Sequence, residues 1–513
     1  MGFAKILSSA VIGIDACVVE VEVDIAAGLP AFTTVGLPET AVKESKERVK
    51  SAIKNSGYRF PDDRITVNLA PADIKKEGTG FDLPVALGIL AATGVLTPQR
   101  LARCMVIGEL SLDGRIKPIR GSLPAALAAQ RLGLDGIIVP FENGREASVV
   151  ENISVYAVST LPEAVEFLRG DLTLSPMTAD IERIFRPAAS ADEMNFSEIR
   201  GQEHAKRAME IAAAGGHNML LIGPPGSGKT MLARRLPGIL PPLTFKEAIE
   251  TTKIFSVSGL LASNQALVTQ RPFRAPHHTI SDAGLIGGGH VPRAGEVSLA
   301  HNGVLFLDEL PEYKKHVLEV LRQPLEDQQV TIARAASTIT YPSRFMLVSA
   351  MNPCPCGYLT DTKHACRCTH HQIRRYRARI SGPLLDRIDI HVEVPAVPYR
   401  DLVHQDNAEP SEVIRRRVSR AREVQIRRFA RKRLFCNAQM HSRHIREHCR
   451  IGDASRRLME SAVEKLGLSA RAYNRVLKIA RTVADLEGED HIQSRQIAEA
   501  IQYRDLDRRR AVQ

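Results

Sequence analysis

The chain has 513 residues, of which 44% are hydrophobic and 25% are charged, as in a soluble globular protein of about two to four domains. It has no run of the ~18–20 apolar residues that cross a bilayer, and its acid-bearing start does not resemble a signal peptide. Eight cysteines in this length do not indicate a disulfide scaffold, so we expect a cytoplasmic protein without membrane association.

The first 171 residues alternate strand-like and helix-like stretches. Residues 18–25 (VVEVEVDI) and 63–71 (DRITVNLAP) predict strands, whereas 82–94 (DLPVALGILAATG) predicts a helix. This order predicts a mixed α/β domain over residues 1–171. Periodicity weakens over 172–197, where Pro, Ser and Ala are frequent, and we expect a linker there.

Residues 223–230 (GPPGSGKT) match the phosphate-binding pattern G-x-x-x-x-G-K-[ST]. A strand-like stretch, 218–222, precedes the loop, and a helix-like stretch, 231–236, follows it. The glycines let backbone N–H groups turn toward phosphate oxygens, Lys229 can reach the β- and γ-phosphates, and the Thr230 hydroxyl can bind Mg²⁺. The residues predicted to bind a nucleoside triphosphate are Gly223, Pro224, Pro225, Gly226, Ser227, Gly228, Lys229 and Thr230.

An acidic pair follows a second strand-like stretch. Residues 303–307 are apolar, as in a buried parallel strand, and Asp308 and Glu309 come directly after them. Asp308 can hold Mg²⁺, and Glu309 can polarise the attacking water. Binding alone does not require the second acid, so the pair predicts hydrolysis; the alternative is ordinary charge at the end of a strand.

Four of the eight cysteines lie in one segment, 354–368: Cys354, Cys356, Cys366 and Cys368. Four thiolates can close a tetrahedral Zn²⁺ site, and in a cytoplasmic protein a metal is favoured over disulfides. The single residue between the cysteines of each pair is fewer than zinc sites commonly have, so free or redox-active cysteines are the alternative. His364, His370 or His371 could replace one ligand.

From residue 401 to 513 the pattern is mostly helical, with long Arg- and Ala-bearing stretches. Residues 413–450 contain 13 Lys and Arg residues but only two acidic ones, and this excess equals the +11 of the whole chain. Such a stripe suits a nucleic-acid backbone. It is equally typical of a solvated helix face, and the sequence leaves both interpretations open.

The central region, residues 198–400, resembles the AAA+ ATPases, specifically the clade that contains magnesium chelatase and the MCM helicases. The resemblance lies in four segments: 196–230, then MNPCPCG at 351–357, LLDRIDIHVEV at 384–394 and SARAYNR at 469–475. It implies ATP and Mg²⁺ as cofactors. It also implies that Gln202, with Ile199 and Gly201, lies against the adenine, and that Asn352 is the sensor-1 residue near the γ-phosphate.

The same resemblance gives roles to three arginines. Arg387 corresponds to the finger offered to a neighbouring subunit's ATP, and such a finger can contribute ~10³–10⁵ in rate. Arg471 corresponds to the sensor-2 arginine, with Arg475 in reserve. Because a finger acts in trans, the resemblance implies a ring, by analogy a homo-hexamer.

Two stretches are candidates for loops that face the pore of such a ring. Residues 271–303 are Gly-rich and basic at several points, although an ordinary flexible loop is the alternative. Residues 329–345 predict a hairpin whose tip carries Arg334. In MCM-like relatives the corresponding insertions touch DNA, and basic tips can hold phosphates without reading bases. Arg334 is therefore a candidate DNA contact.

The N-terminal region resembles the Lon-protease-like domain in three segments: 74–90, 108–133 and 136–143. The serine position of that family falls on Gly80, and the lysine position falls near Leu123 or Pro124. Without a hydroxyl nucleophile and an amine base, peptide hydrolysis by that route has no chemistry. The resemblance therefore implies an assembly or binding platform rather than a protease.

Together these regions resemble the ComM/YifB family over nearly the whole chain. The resemblance implies an α/β protein: a Lon-like domain, an AAA+ core at 198–400 and a helical C-terminal domain at 401–513. The implied function is an ATP-driven DNA motor that promotes branch migration in natural transformation, on DNA without sequence preference. The alternatives are a chelatase-type motor and a protein-remodelling ATPase or unfoldase that acts without DNA.

Overall fold

A computed structural model describes residues 2–76, 78–185, 195–262, 265–289, 292–334, 337–361, 364–397, 409–430, 432 and 434–504. The chain divides into two compact units: Met1–Pro187 with Thr244–Thr269, and Ala188–Leu243 with Gln270–Gln513. Much of the predicted linker, at 186–194, and the predicted boundary at 400–401 lie outside the described residues. The boundaries at 171, 197 and 400 therefore stay predictions.

The first unit is built on a seven-stranded mixed sheet with the order β3-β4-β2-β1-β5-β8-β9. Its strands are Gly2–Ile12 (β1), Asp15–Ala26 (β2), Ala31–Val35 (β3), Arg64–Ala70 (β4), Cys104–Val106 (β5), Gly136–Pro140 (β8) and Ser154–Val158 (β9). Glu109–Leu110 (β6) and Ile116–Lys117 (β7) form a separate antiparallel pair. β1 and β2 are antiparallel and meet at a tight turn in which Gly13 has a φ of 64°, a conformation that glycine adopts without strain.

Alternation along β2 explains where the core of this unit lies. Val19, Val21 and Val23 are fully buried, whereas Glu20 and Glu22 between them remain partly exposed. Successive side chains of a strand point to opposite faces, so the acidic residues keep one face in contact with water. The helices of this unit are Thr40–Asn55 (α1), Asp82–Ala92 (α2), Pro98–Leu101 (α3), Ser122–Arg131 (α4), Gly144–Ala147 (α5), Leu161–Arg169 (α6), Ile181–Phe185 (α7) and Phe245–Ser258 (α10).

The last of these helices comes from the middle of the chain. Thr244 and Glu247 form a capping box at the start of α10, which fixes where the helix begins. Near its end, the Ser256 hydroxyl accepts a hydrogen bond of 3.1 Å from the Gly121 N–H. Residues 244–269 thus lie inside the predicted 198–400 module along the chain but cluster with the first unit in space.

The second unit contains a five-stranded, all-parallel sheet with the order β11-β14-β17-β10-β18. Its strands are Met219–Ile222 (β10), Phe273–Arg274 (β11), Val304–Leu307 (β14), Met346–Met351 (β17) and Ile390–Glu393 (β18). The apolar stretches predicted around 218–222, 303–307 and 345–350 are confirmed as strands. Because parallel strands end at the same edge, the residues after β10, β14 and β17 are brought together, which is where open α/β sheets bind ligands.

Helices surround this sheet and share its core. They are Glu203–Gly215 (α8), Lys229–Arg235 (α9), Asp282–Ile286 (α11), Glu296–Leu299 (α12), Lys315–Glu319 (α13), Arg322–Asp327 (α14), His370–Arg377 (α15), Gly382–Leu385 (α16), Ser411–Arg428 (α17), Ser442–His448 (α18), Asp453–Leu466 (α19), Ala470–Glu487 (α20) and Ser494–Gln502 (α21). One buried cluster joins Ala212 of α8 and Leu221 of β10 to Val476 and Ile479 of α20. The helical C-terminal region thus packs on the parallel sheet, and the predicted α/β class is confirmed.

Both stretches that are candidates for pore-facing loops, 271–303 and 329–345, contain regular secondary structure. Gln329–Arg334 (β15) and Ser337–Pro342 (β16) form the predicted antiparallel hairpin, whose tip at 335–336 lies outside the described residues. Within 271–303, Gly287–Gly288 (β12) and Arg293–Ala294 (β13) pair as a small ribbon between α11 and α12. Among the described residues, the helices are all too short or too polar to cross a bilayer.

Candidate active site

The phosphate-binding loop joins β10 to α9 at the carboxyl edge of the parallel sheet. Gly226 and Gly228 have φ values of 75° and 86°, in the left-handed region that glycine tolerates and other residues rarely adopt. A side chain at Gly223 would place its Cβ 2.1 Å from the Val394 carbonyl oxygen, so only glycine fits there. The glycines of the motif are therefore required by the backbone as the structure has it.

Lys229, the first residue of α9, is folded back over its own loop. Its Nζ donates to the carbonyl oxygens of Gly223 (2.8 Å) and Pro224 (2.9 Å), and to Asn352 Oδ1 (3.3 Å). Burial lowers the pKa of Lys229, although the Asp308 and Glu309 carboxylates act in the opposite direction. The ammonium is thus held where a phosphate can replace its carbonyl partners.

Thr230 and the acidic pair meet in front of this lysine. The Thr230 hydroxyl donates to Asp308 Oδ2 at 2.6 Å, which places together the two oxygens that the sequence predicts as Mg²⁺ ligands. Glu309 has a φ of 50°, unusual for a residue other than glycine, and its side chain is 59% exposed. Such backbone strain is frequent at functional sites.

One buried polar atom of the loop supports a phosphate ligand directly. Ser227 is 1% exposed, and its Oγ has no hydrogen-bond partner among the residues that the structure describes. A buried hydroxyl without a partner is costly, and a phosphate oxygen would satisfy it. The loop, the lysine and the Thr230–Asp308 pair therefore fit ATP with Mg²⁺.

Gln202 lies beside the same loop. It has a φ of 61°, and its side-chain amide donates to the carbonyl oxygens of Ser227 (3.3 Å) and Pro395 (2.7 Å). Ile199 is fully buried nearby along the chain, and Gly201 has a φ of 60°. Gln202 thus connects the segment predicted to hold the adenine to the loop predicted to hold the phosphates, and the adenine role stays a prediction.

The structure does not bring Arg387 to this site within one chain. Arg387 is 9% exposed, its Nη1 donates to the Pro383 carbonyl oxygen (2.5 Å), and its guanidinium forms an ion pair with Glu326. Glu326 lies in α14, just before the β15–β16 hairpin. A finger that acts on a neighbouring subunit has to leave these partners, so that role stays a prediction.

The two sensor-2 candidates differ in their surroundings. Arg471, in the first turn of α20, is 65% exposed and lies 3.8 Å from Asp386. Arg475 forms an ion pair with buried Asp389, whose other oxygen is 3.2 Å from His217 Nδ1. Burial alone would raise the pKa of Asp389, but Arg475 and His217 hold it below the ordinary value. The Arg475 guanidinium is therefore held by a buried ion pair, whereas the exposed Arg471 side chain is the one that a nucleotide could reach.

His278 is a residue beside the acidic pair Asp308–Glu309 that the sequence did not single out. Its Nδ1 lies 3.6 Å from Glu309 Oε2, and its ring meets the Tyr313 ring edge-on. The Tyr313 hydroxyl donates to the Pro276 carbonyl oxygen at 2.6 Å, which fixes the loop that carries the histidine. The signal available was the pair His277–His278, which begins three residues after β11, the strand that runs beside β14.

The four cysteines of the predicted metal site converge. Cys354 Sγ lies 3.4 Å from Cys356 Sγ and 3.7 Å from Cys366 Sγ, and the four Sγ atoms lie within 4.8 Å of one another. A tetrahedral Zn²⁺ with Zn–S bonds of ~2.3 Å separates its sulfurs by roughly 3.8 Å, so the set fits that ion. A hydrogen bond from the backbone of Tyr358 lowers the pKa of Cys356, whereas burial raises the pKa of Cys354 and of Cys368, so the distances between the sulfurs, and not their acidity, carry the fit.

The basic segment 413–450 divides into structural and exposed arginines. Arg428 forms a bidentate ion pair with Asp485, whose side chain is fully buried, and Arg417 pairs with Glu210. By contrast, three arginines on one face of α17 are exposed, Arg416, Arg420 and Arg427, and they share that face with exposed Glu412 and Glu423. The segment is thus neither a uniform polyanion-binding stripe nor merely a solvated face. Strand β15 ends at Arg334, whose side chain is not among those that the structure describes.

The positions of the Lon-type dyad are apolar in the first unit. A Cβ added at Gly80 would meet Ile119, at 3.6 Å from its Cδ1. Leu123, in α4, is fully buried in an apolar cluster. These two positions therefore supply neither the hydroxyl nucleophile nor the amine base that a serine–lysine pair needs for peptide hydrolysis.

Three families of known proteins match this chain, and together their matches extend from residue 21 to residue 504. The family described as "Magnesium chelatase, subunit ChlI" matches residues 195–402, "Subunit ChlI of Mg-chelatase" matches 21–143, and the ChlI C-terminal family matches 408–504. Lon protease 2 of Bacillus subtilis is 29% identical over 129 residues, which cover 25% of this chain and 23% of that protein.

Two relatives match from end to end. The competence protein ComM of Haemophilus influenzae is 46% identical over 508 residues, which cover 98% of each chain. The protein YifB of Salmonella typhimurium is 45% identical over 510 residues, which cover 99% of this chain and 98% of that one. These similarities confirm the resemblance carried by the motifs. The chain belongs to the ComM/YifB family of magnesium-chelatase-like AAA+ ATPases.

Proposed function

We propose that this chain is an ATP-driven, ring-forming DNA motor that promotes branch migration of recombination intermediates in natural transformation. The observation that carries the proposal is the convergence of Lys229, Thr230, Asp308 and Glu309 at one edge of the parallel sheet. The name of one relative, a competence protein, supports the role in transformation. The lack of a membrane-spanning helix among the described residues is consistent with a cytoplasmic location.

The residues divide the chemistry of hydrolysis among them. Lys229 and the backbone N–H groups of the loop would bind the phosphates, and Thr230 and Asp308 would hold Mg²⁺, which would neutralise charge on the phosphate oxygens. Glu309 accepts a proton from the attacking water, because its carboxylate is exposed beside the metal ligands. Asn352, hydrogen-bonded to Lys229, orients that water. Arg387 of a neighbouring subunit would supply positive charge to the transition state, and Arg471 would do so from the same chain.

Two further features support a nucleic-acid partner. Arg416, Arg420 and Arg427 are exposed on one face of α17, where they outnumber Glu412 and Glu423, and strand β15 ends at Arg334. Contacts of this kind bind phosphates and not bases, so the proposed partner is DNA without sequence preference. The first unit, without the groups of a serine–lysine dyad, would serve as an assembly platform for a homo-hexamer.

The proposal is tested by ATP hydrolysis with and without a four-way DNA junction. We expect the junction to increase the rate several-fold, and we expect this increase to fall steeply as salt rises from about 50 to 200 mM, because counterions compete for the phosphates. A rate that no DNA changes, with ATP hydrolysis intact, would favour the alternative of a chelatase-type or protein-remodelling ATPase.

The exposed arginines of α17 allow a matched pair of variants. Replacing Arg416, Arg420 and Arg427 together by Ala should remove about three phosphate contacts, and DNA binding should become weaker and less dependent on salt, with thermal stability unchanged. The control, Arg428→Ala, removes one partner of buried Asp485, which keeps Arg481 (3.0 Å) and Asn437 (2.8 Å), and should lower the free energy of unfolding by about 1–3 kcal/mol. Fluorescence anisotropy with a labelled junction and urea unfolding measure the two effects. Equal DNA affinity of the triple variant and the wild type would remove this face from the proposal.

We also propose that Cys354, Cys356, Cys366 and Cys368 hold Zn²⁺. The distances between their sulfurs support a tetrahedral site, and neighbouring His364 is a surface residue that hydrogen-bonds Asp361. Metal analysis of the purified chain should give about one zinc per chain.

A further inference from the structure

We propose that the metal-bound cysteine cluster is the support that holds Asn352 and the phosphate-binding loop in place, so that metal occupancy sets the rate of ATP hydrolysis. This inference rests on the ATP site proposed above. It assigns the cluster a positioning role in catalysis that differs from a contact with DNA or a purely local role in folding.

The chain connects the two sites directly. Strand β17 ends at Met351, Asn352 follows it, and Cys354 is only two residues further along. The Gly223 N–H donates to the Met351 carbonyl oxygen at 3.2 Å, so the end of β17 is also bonded to the start of the phosphate-binding loop. A displacement of the first cysteine pair is therefore transmitted to Asn352 through two peptide units.

A second connection is a close contact between residues 354–357, which we call the knuckle, and the phosphate-binding loop. Gly357, one residue after Cys356, has a φ of 87°, and a Cβ added there would lie 2.6 Å from Pro225 Cδ. The backbone of the knuckle thus rests on the ring of Pro225 with no room for a side chain. The same added Cβ would lie 3.9 Å from Asn352 Cγ, so one backbone atom faces both elements of the ATP site.

The second cysteine pair is attached to the helix that supports Asn352 from behind. Thr369, directly after Cys368, caps α15. In that helix, Tyr376 is buried and its hydroxyl forms a hydrogen bond with the backbone of Asn352. Arg377 donates to the Pro353 carbonyl oxygen from Nε and Nη2, each at 3.3 Å.

A metal ion therefore closes a ring of contacts. It would bind the first cysteine pair, which follows Asn352, to the second pair, which precedes α15, and both sides meet at Asn352. Without the metal, the segment between the pairs lacks this cross-link, and Gly357 can shift away from Pro225. Asn352 Oδ1 is 3.3 Å from Lys229 Nζ. A shift of the backbone around Asn352 would therefore misplace both side chains relative to the γ-phosphate.

The test uses a substitution that keeps all four thiolates. Gly357→Ala should retain one metal ion per chain, yet it should lower kcat by about 10–100-fold, because a misplacement of about 1 Å in an active site can cost that much. The matched control is Gly488→Ala. Gly488 has a similar φ of 73°, but a Cβ added there meets nothing within 4 Å. The control carries the same backbone strain without the contact, and its kcat should equal that of the wild type.

A second arm removes the metal. Cys356→Ser or a strong chelator should release the metal, weaken the binding of a fluorescent ATP analogue and lower kcat, while circular dichroism shows the chain still folded; Cys17→Ser should change none of these. All rates are measured without DNA, so a wild-type chain that hydrolyses ATP but ignores DNA contradicts the proposed motor and not this inference. Hydrolysis and nucleotide binding that are unchanged in Gly357→Ala, or after the metal has left, would overturn it.

Discussion

A Glu309→Gln chain should bind ATP about as tightly as the wild type and hydrolyse it ~10²–10⁴-fold more slowly, the contribution typical of a general base. In the proposed site Lys229 and the loop would bind the phosphates, and Thr230 and Asp308 would bind Mg²⁺, and the substitution removes none of these groups. The amide keeps the shape of the side chain but cannot accept a proton from water. Nucleotide binding by a fluorescent analogue, measured beside steady-state hydrolysis, separates the two effects.

Lys229→Ala provides the comparison, because it should lose binding as well as hydrolysis. If Glu309→Gln retained more than about a tenth of the wild-type rate, another group would have to activate the water. His278 is the neighbour of Glu309, with its Nδ1 3.6 Å from Glu309 Oε2, and it would be the next residue to replace.

Arg387→Ala is expected to lower ATP hydrolysis by ~10³–10⁵-fold without loss of nucleotide binding, because a finger acts on the transition state. The trans role makes a sharper prediction for mixtures. Lys229→Ala subunits bind no ATP but carry an intact Arg387, whereas Arg387→Ala subunits bind ATP but have no finger. Mixed rings should therefore recover activity that neither variant has alone.

The buried position of Arg387 sets a condition for this result. Its ion pair with Glu326 and its bond to the Pro383 carbonyl have to open when a subunit docks, and the side chain is only 10% exposed before that. Failure of the mixture to recover activity, with both variants folded and assembled, would assign Arg387 a structural role within its own chain.

The parts of the site that could be predicted from sequence are those written in contiguous residues. The loop 223–230 and the pair Asp308–Glu309 each carry their chemistry in one short segment that ends a strand. The parallel sheet then brings the segments together, because its strands end at one edge. The hairpin over 329–345 was predictable for the same reason, since two alternating stretches meet at a short turn.

What could not be predicted depends on pairs distant in sequence. Arg475 and Asp389, or Arg428 and Asp485, are ordinary charged residues until the fold buries them together, so the basic segment could not be divided into structural and exposed arginines. The helix Phe245–Ser258 buries Thr251, Thr252 and Ser256 together with Ala248 and Ile254, and such a mixed set does not indicate to which unit the helix belongs. The contact of Gly357 with Pro225 is invisible for the same reason, because glycine leaves no signal of what approaches it.

The central claim, that ATP hydrolysis moves DNA strands, is tested most directly by a branch-migration assay. A labelled four-way junction with homologous arms is incubated with the purified chain and ATP, and its conversion to duplex products is followed on a gel. The account predicts conversion that requires hydrolysable ATP and is absent with Glu309→Gln. A junction that remains intact while the wild-type chain binds it and hydrolyses ATP would contradict the claim.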